Sequence, residues 1–225
     1  ICPGKTGTIS VNGSPSYVVL QPPNLSPSSI GYNTSTISFT GSPLATQIFT
    51  VVGISAQGCT AAANASLIVY PFPIPTLGYN TPVCNGLTLN LSASGGNTYQ
   101  WSGPGSFTSS LQNPSITPAQ VSHSGTYSLV ASSVNNCTAL AVISVTVHPT
   151  PALSATGSTI CANQTLNLSA TTSTGVGLNW SGPAGFSSNL PNPTITNPAS
   201  GNSGSYSVVA SSAQGCTNQA VLQVT

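Results

Sequence analysis

In the stretch LTLNLSA the leucines at 87, 89 and 91 fall on one side of an extended chain, and Thr88, Asn90 and Ser92 fall on the other. The same alternation runs through TYSLVAS, where Tyr127, Leu129 and Ala131 share a face, and through the runs ASLIVY, VISVTV and AVLQV. A period of two belongs to a strand buried on one face, whereas an amphipathic helix repeats every 3.6 residues. Nineteen prolines and 22 glycines interrupt the chain too often for long helices. The pattern predicts an all-β protein of short strands joined by tight turns.

The strands recur as phrases. GTYSLVASSVNNCT (125–138) returns as GSYSVVASSAQGCT (204–217), and a more divergent copy, QIFTVVGISAQGCT, occupies 47–60. Upstream, CNGLTLNLSASGGNTYQW (84–101) matches CANQTLNLSATTSTGVGLNW (161–180) and CPGKTGTISVNGSPSYVV (2–19). The tryptophans lead into SGPGSF and SGPAGF, and the proline linkers PFPIPTL and PTPALS separate the copies. Internal repetition of this kind predicts three units, 1–70, 71–148 and 149–225. Several short strands in each, punctuated by Gly, Pro and Asn, predict a β-sandwich per unit.

Charge then removes whole classes of function. The 225 residues hold one lysine (Lys5), no arginine, no aspartate and no glutamate, where about a quarter of an average protein is charged. A hydrophobic share of 39% is too high for a disordered chain. No basic patch exists to neutralise phosphates, so nucleic acid is not a partner. No carboxylate exists for general acid–base work, for orienting a catalytic histidine or for caging calcium, so no enzyme activity is expected. No apolar run approaches the ~20 residues of a membrane span. Lys5 has no carboxylic acid with which to form an isopeptide bond, and His123 and His148 read as turn and boundary residues. Nine N-x-S/T sequons, at Asn12, Asn24, Asn33, Asn64, Asn90, Asn136, Asn163, Asn167 and Asn179, arise readily by chance in a chain this rich in Asn, Ser and Thr.

Six cysteines, Cys2, Cys59, Cys84, Cys137, Cys161 and Cys216, sit at repeating positions without a CxxC pair. That pattern reads as a disulfide framework made in an oxidising, extracellular compartment, with no metal and no cofactor.

SHSGTYSL (122–129) and GNSGSYSV (201–208) resemble the strand-F signature of immunoglobulin domains, and Trp101 and Trp180 resemble its strand-C tryptophan. The wider grammar resembles the Ig-like and PKD-like repeats of large Bacteroidota cell-surface proteins of the gliding-adhesin type. The resemblance implies three tandem immunoglobulin-like β-sandwich domains, with Tyr127 and Tyr206 as tyrosine corners and both tryptophans in the core. The first copy departs from it, with Phe49 at the corner and Val19 at the tryptophan position. Leu129 and Val208 stand where an antibody domain carries its core cysteine.

In such a domain the first cysteine of a copy lies at the A–B end and the second follows the F–G turn at the opposite end. A seven-residue strand spans ~23 Å, while a disulfide needs Cα atoms within ~7 Å. Pairing between successive domains, Cys2 with Cys137 and Cys84 with Cys216, is therefore expected; one pair per repeat is the alternative. Cys59 and Cys161 are then left to join across two molecules. The first copy starts at Ile1 without the lead-in that supplies strand A elsewhere, so its sandwich is expected to lack an edge strand.

Together these features predict a non-enzymatic extracellular structural protein that assembles with itself, head to tail, into a filament or adhesin stalk at the cell surface. The alternative is a glycan- or surface-binding adhesin module using Trp101, Trp180, Phe107 and Phe186. Buried tryptophans favour the first reading and exposed ones the second.

Overall fold

The computed structural model describes residues 1–10, 13–14, 16–20, 29–32, 36–39, 43–159 and 164–225. Cys161 and the sequon residues Asn12, Asn24, Asn33 and Asn163 lie outside the described residues. Alternation of apolar and polar positions resolves into three immunoglobulin-like sandwiches in succession. The first contains β1 (Gly7–Ser10), β2 (Ser16–Leu20), β3 (Ser29–Tyr32), β4 (Thr36–Phe39), β5 (Gln47–Ile54) and β6 (Thr60–Leu67). The second contains β7 (Thr76–Tyr79), β8 (Val83–Cys84), β9 (Leu89–Ser94), β10 (Thr98–Gly103), β11 (Phe107–Ser109), β12 (Ser115–Ile116), β13 (Gly125–Ser132), β14 (Thr138–Val145) and β15 (Val147–His148). The third contains β16 (Leu153–Gly157), β17 (Leu166–Thr172), β18 (Gly177–Ser181), β19 (Ser187–Ser188), β20 (Thr194–Ile195), β21 (Gly204–Ser211) and β22 (Thr217–Val224).

One topology is used three times. The larger sheet runs β3-β2-β5-β6, then β11-β10-β13-β14, then β19-β18-β21-β22. The facing sheet runs β12-β9-β7 in the second sandwich and β16-β17-β20 in the third. In the first sandwich it is β1-β4, with no strand on the other edge of β1 among the described residues. Register is equally repetitive. Trp101 pairs with Leu129, Trp180 with Val208, and Val19 occupies the same rung opposite Val51.

The cores follow from this register. In the second sandwich Trp101, Tyr127, Leu89, Leu91, Leu129 and Ala131 form one buried cluster with Val83 and Val145. In the third, Trp180 and Tyr206 pack with Leu166, Leu168, Val208 and Val224. Phe49 and Val51 are buried in the first. Leu87 corrects the expectation that three leucines share the core face. It is 59% exposed because it precedes β9, in a turn where its N–H donates to the Cys84 carbonyl at 3.0 Å. Alternation orders side chains only within a strand, and the strand begins at Leu89.

The two tryptophans share a position but not a hydrogen bond. Trp180 Nε1 donates to the Leu190 carbonyl at 3.1 Å. Trp101 Nε1 is buried and has no partner among the described residues. An unpaired buried donor costs about 1–3 kcal/mol. Trp101→Ala and Trp180→Ala should each destabilise their own sandwich by about 3–5 kcal/mol. Replacement by Phe should separate them, with Trp180→Phe costing about 1 kcal/mol more because it breaks a bond that Trp101 never makes. Urea denaturation of the variants reads both values; equal costs for the two Phe variants would show that the indole bonds are equivalent.

Candidate functional site

The predicted site residues fall into two groups, one inside each sandwich and one at the joints between them. Inside, Tyr127 Oη donates to the His123 carbonyl at 3.0 Å and Tyr206 Oη donates to the Asn202 carbonyl at 2.8 Å. Both accepting carbonyls belong to short 3-10 turns, Val121–His123 and Ser200–Asn202, that lead into β13 and β21. The phenol thereby fixes the entry of its strand.

The SGPGSF and SGPAGF loops are part of the same clasp. Phe107 meets Tyr127 edge-on with centroids 5.6 Å apart, and Phe186 meets Tyr206 in the same way at 5.5 Å. Gly103 and Gly182 lie directly against the tyrosine rings, where a Cβ would overlap ring carbons. The glycan-contact alternative names Trp101, Trp180, Phe107 and Phe186. Trp101 and Trp180 are 0% exposed and offer no face to a sugar ring. Phe107 and Phe186 are half-buried and spent on the tyrosines. The tight Gly–Tyr packing is not visible in alternation; its only trace is the recurrence of SGP at a fixed distance before each tyrosine.

At the joints the cysteines of neighbouring sandwiches meet. Cys2 is bonded to Cys137 with Cα atoms 5.4 Å apart, and Cys84 is bonded to Cys216 at 5.6 Å. Each bond joins one sandwich to the next, 135 and 132 residues further along the chain. The donor side is built alike in both. β8 runs parallel to β15, which puts Cys84 opposite His148 at the end of the second sandwich. At the end of the first, the Ile1 nitrogen donates to the Ile68 carbonyl at 2.8 Å, and the Tyr70 N–H donates to the Ile1 carbonyl at 2.9 Å. In both places the cysteine segment lies beside the residues that enter the proline linker. Linker and disulfide therefore cross each joint side by side, and Cys137 Sγ lies 3.6 Å from the Tyr70 carbonyl oxygen.

The receiving side is one turn used three times. In Ser133–Cys137 the Ser133 N–H donates to the Cys137 carbonyl at 2.9 Å, the Asn136 N–H donates to the Ser133 carbonyl at 3.0 Å, and the Cys137 N–H donates to Ser133 Oγ at 3.2 Å. Ser212–Cys216 repeats these bonds at 2.9, 3.0 and 3.1 Å. Ser55–Cys59 repeats them at 2.8, 3.0 and 3.1 Å. The fourth residue is left-handed in each, with φ of 58° at Asn136, 81° at Gly215 and 82° at Gly58, which is the αL position of a bulged hairpin turn. Cys137 and Cys216 are buried by their partners, while Cys59 is an exposed free thiol.

The remaining candidates have structural places. His123 Nδ1 accepts the Gln120 N–H at 2.9 Å. Lys5 is exposed. Asn64, Asn90, Asn136, Asn167 and Asn179 are all exposed. Grooves of about 410 and 420 Å³ flank the two linkers, one against Phe72, Asn97 and Val134, the other against Pro151, Thr174 and Gln214. Among the described residues no cluster of three or more His, Cys, Asp or Glu is placed to hold a metal ion, and no helix is long and apolar enough to cross a membrane.

No protein-family model and no curated protein matches the chain. Solved structures with a similar fold include the N-terminal eight Ig domains of Down Syndrome Cell Adhesion Molecule, isoform 1.30.30, at 14% identity and a TM-score of 0.48. That likeness covers 100% of this chain and 40% of the other, so the chain spans well under half of the molecule it is compared with. The three N-terminal domains of the bacteriophage RB49 Highly Immunogenic Outer Capsid protein align at 11% identity, with a TM-score of 0.46, over 99% of this chain and 94% of that one. The fibronectin(III)-like modules of Clostridium thermocellum CbhA align at 16% identity, with a TM-score of 0.33, over 66% and 93%.

Burial raises the pKa of Tyr127 above its ordinary value of 10.0, and burial is also the leading cause of the rise at Tyr206. A raised pKa means that the folded state holds its phenol proton more tightly than the unfolded state does. The associated stability is whole below about pH 10 and is lost as pH rises through the higher folded values. With no aspartate or glutamate to protonate, the usual carboxylate-driven acid loss has no source. Denaturation midpoints should therefore fall above about pH 10, and Tyr127→Phe with Tyr206→Phe should flatten that fall. An unchanged alkaline slope in the double variant would place the titration elsewhere.

Proposed function

We propose that this chain is a non-enzymatic, extracellular structural protein, a subunit of a filament or adhesin stalk built from head-to-tail immunoglobulin-like domains. The observation that carries the reading is the pair of covalent threads at each joint, one peptide linker and one disulfide. A lone linker lets two domains swing independently, whereas two tethers on one joint remove much of that freedom. Disulfides of this kind form and persist outside reducing compartments. The molecule invests its cysteines in the joints rather than in the cores, where Trp101 and Trp180 already fill the space. That distribution suits a protein whose task is to transmit force or hold a length.

Two further features support self-assembly. Among the described residues the edge of β1 away from β4 carries no strand, where the other two sandwiches have a third one. Exposed strand edges recruit strands from neighbours, and a neighbouring copy is the partner we assign. The near absence of charge leaves nothing to repel a second copy and little for salt to screen. Resemblance of the repeats to Bacteroidota surface proteins agrees with a place at the cell surface.

Electron microscopy of the native protein tests this directly. Filaments or stalks should be visible in dilute buffer and should persist in 1 M salt. Isolated single chains in native material, or dissociation in salt, would contradict the proposal.

A further inference from the structure

The turn that receives a disulfide rung in two sandwiches carries a free thiol in the first. Two rungs use Cys2, Cys84, Cys137 and Cys216. Each follows one rule: the cysteine beside the outgoing linker of one sandwich bonds the cysteine after the F–G turn of the next. Cys59 ends the same turn in the first sandwich, with hydrogen bonds within 0.1 Å of those at Cys137 or Cys216. The two sister cysteines are bonded and fully buried; Cys59 is exposed and unbonded. The turn is thus already in its bonded conformation, and what Cys59 lacks is a cysteine bonded to it.

We infer that Cys59 forms a third rung, a disulfide to a second copy of this chain, through the cysteine at that copy's linker-side position. This rests on the head-to-tail reading above and names its partner residue. By sequence, Cys161 holds that position, because CANQTLNL aligns with the segments that begin at Cys84 and Cys2. The two cysteines outside the closed rungs are therefore complementary in type: one follows an F–G turn and the other begins a copy. A contact that joins unlike ends and does not close into a ring propagates without limit. Joining Cys59 to Cys161 of the preceding copy repeats the cysteine pairing of the two existing rungs.

The bond forms as the two thiols together give up two protons and two electrons, and the sulfurs join. A disulfide-type oxidant, a small-molecule disulfide or the disulfide of a thiol oxidase, takes up both and leaves as two thiols.

The test is thiol trapping of the full chain. Native material is alkylated before denaturation, run with and without reductant, and mapped by mass spectrometry. Bands at multiples of 22.4 kDa that collapse on reduction are expected, together with a Cys59–Cys161 cross-linked peptide. The Cys59→Ser chain should stay monomeric after treatment with oxidised glutathione while keeping its Cys2–Cys137 bond, which also reports that the variant is folded. Alkylated Cys59 in native material, or a cross-link from Cys59 to any other cysteine, would overturn the inference. Micrographs of the same samples separate the two claims. Filaments whose Cys59 is alkylated remove the third rung and leave the head-to-tail reading standing, whereas absence of filaments removes the reading itself.

Discussion

Everything distinctive about this molecule depends on a distance. An immunoglobulin-like strand carries the chain from one end of the sandwich to the other, ~23 Å for seven residues, and no disulfide spans that gap. A cysteine at each end of a sandwich can therefore bond only outward. The structure answers with Cα separations of 5.4 and 5.6 Å between cysteines of successive sandwiches. In the chain-entropy account, closing a loop of more than 100 residues stabilises by up to about 5 kcal/mol. Each of these disulfides also acts at the joint between two sandwiches, beside the peptide linker.

Near-neutrality shapes the rest. With one lysine and no acids, no ion pair between side chains is available to orient a loop or fix a register. Hydrogen bonds and close packing carry that work. Tyr127 and Tyr206 pin the turns before their strands. Ser55, Ser133 and Ser212 each cap the N–H of the cysteine four residues on. Tyr17 Oη accepts the Ser14 N–H at 2.6 Å, and Tyr99 Oη donates to the Gly96 carbonyl at 2.8 Å, so a tyrosine early in β2 and in β10 holds the residue three positions before it. A polar but uncharged surface keeps these sandwiches hydrated without setting them against one another.

Much of this is legible in the sequence, for physical reasons. Period-two alternation marks the strands because burial on one sheet face selects every second residue. Strand length, in a head-to-tail row of sandwiches, favours Cys2–Cys137 and Cys84–Cys216 over one pair per repeat, and the structure holds the favoured pairs. Other features leave little trace. Leu87 looks like the first of three core leucines and is exposed, since the strand start is set by backbone bonds from Cys84 and Ala119 rather than by hydropathy. The glycine of each SGP motif lies against a tyrosine about 24 residues away, a contact that only the folded topology creates. The unequal indoles of Trp101 and Trp180 depend on whether one loop carbonyl, that of Leu190, reaches Nε1.

The central claim is that the cysteines fasten domains to one another rather than closing each domain on itself. Insertion of a specific protease site into the linker between the first two sandwiches, followed by complete cleavage, reads this most directly. The account predicts that the cut chain still migrates as one species without reductant and separates into two fragments with it, because Cys2–Cys137 still spans the joint. Fragments that separate without reductant would show that no disulfide crosses the joint and would contradict the account.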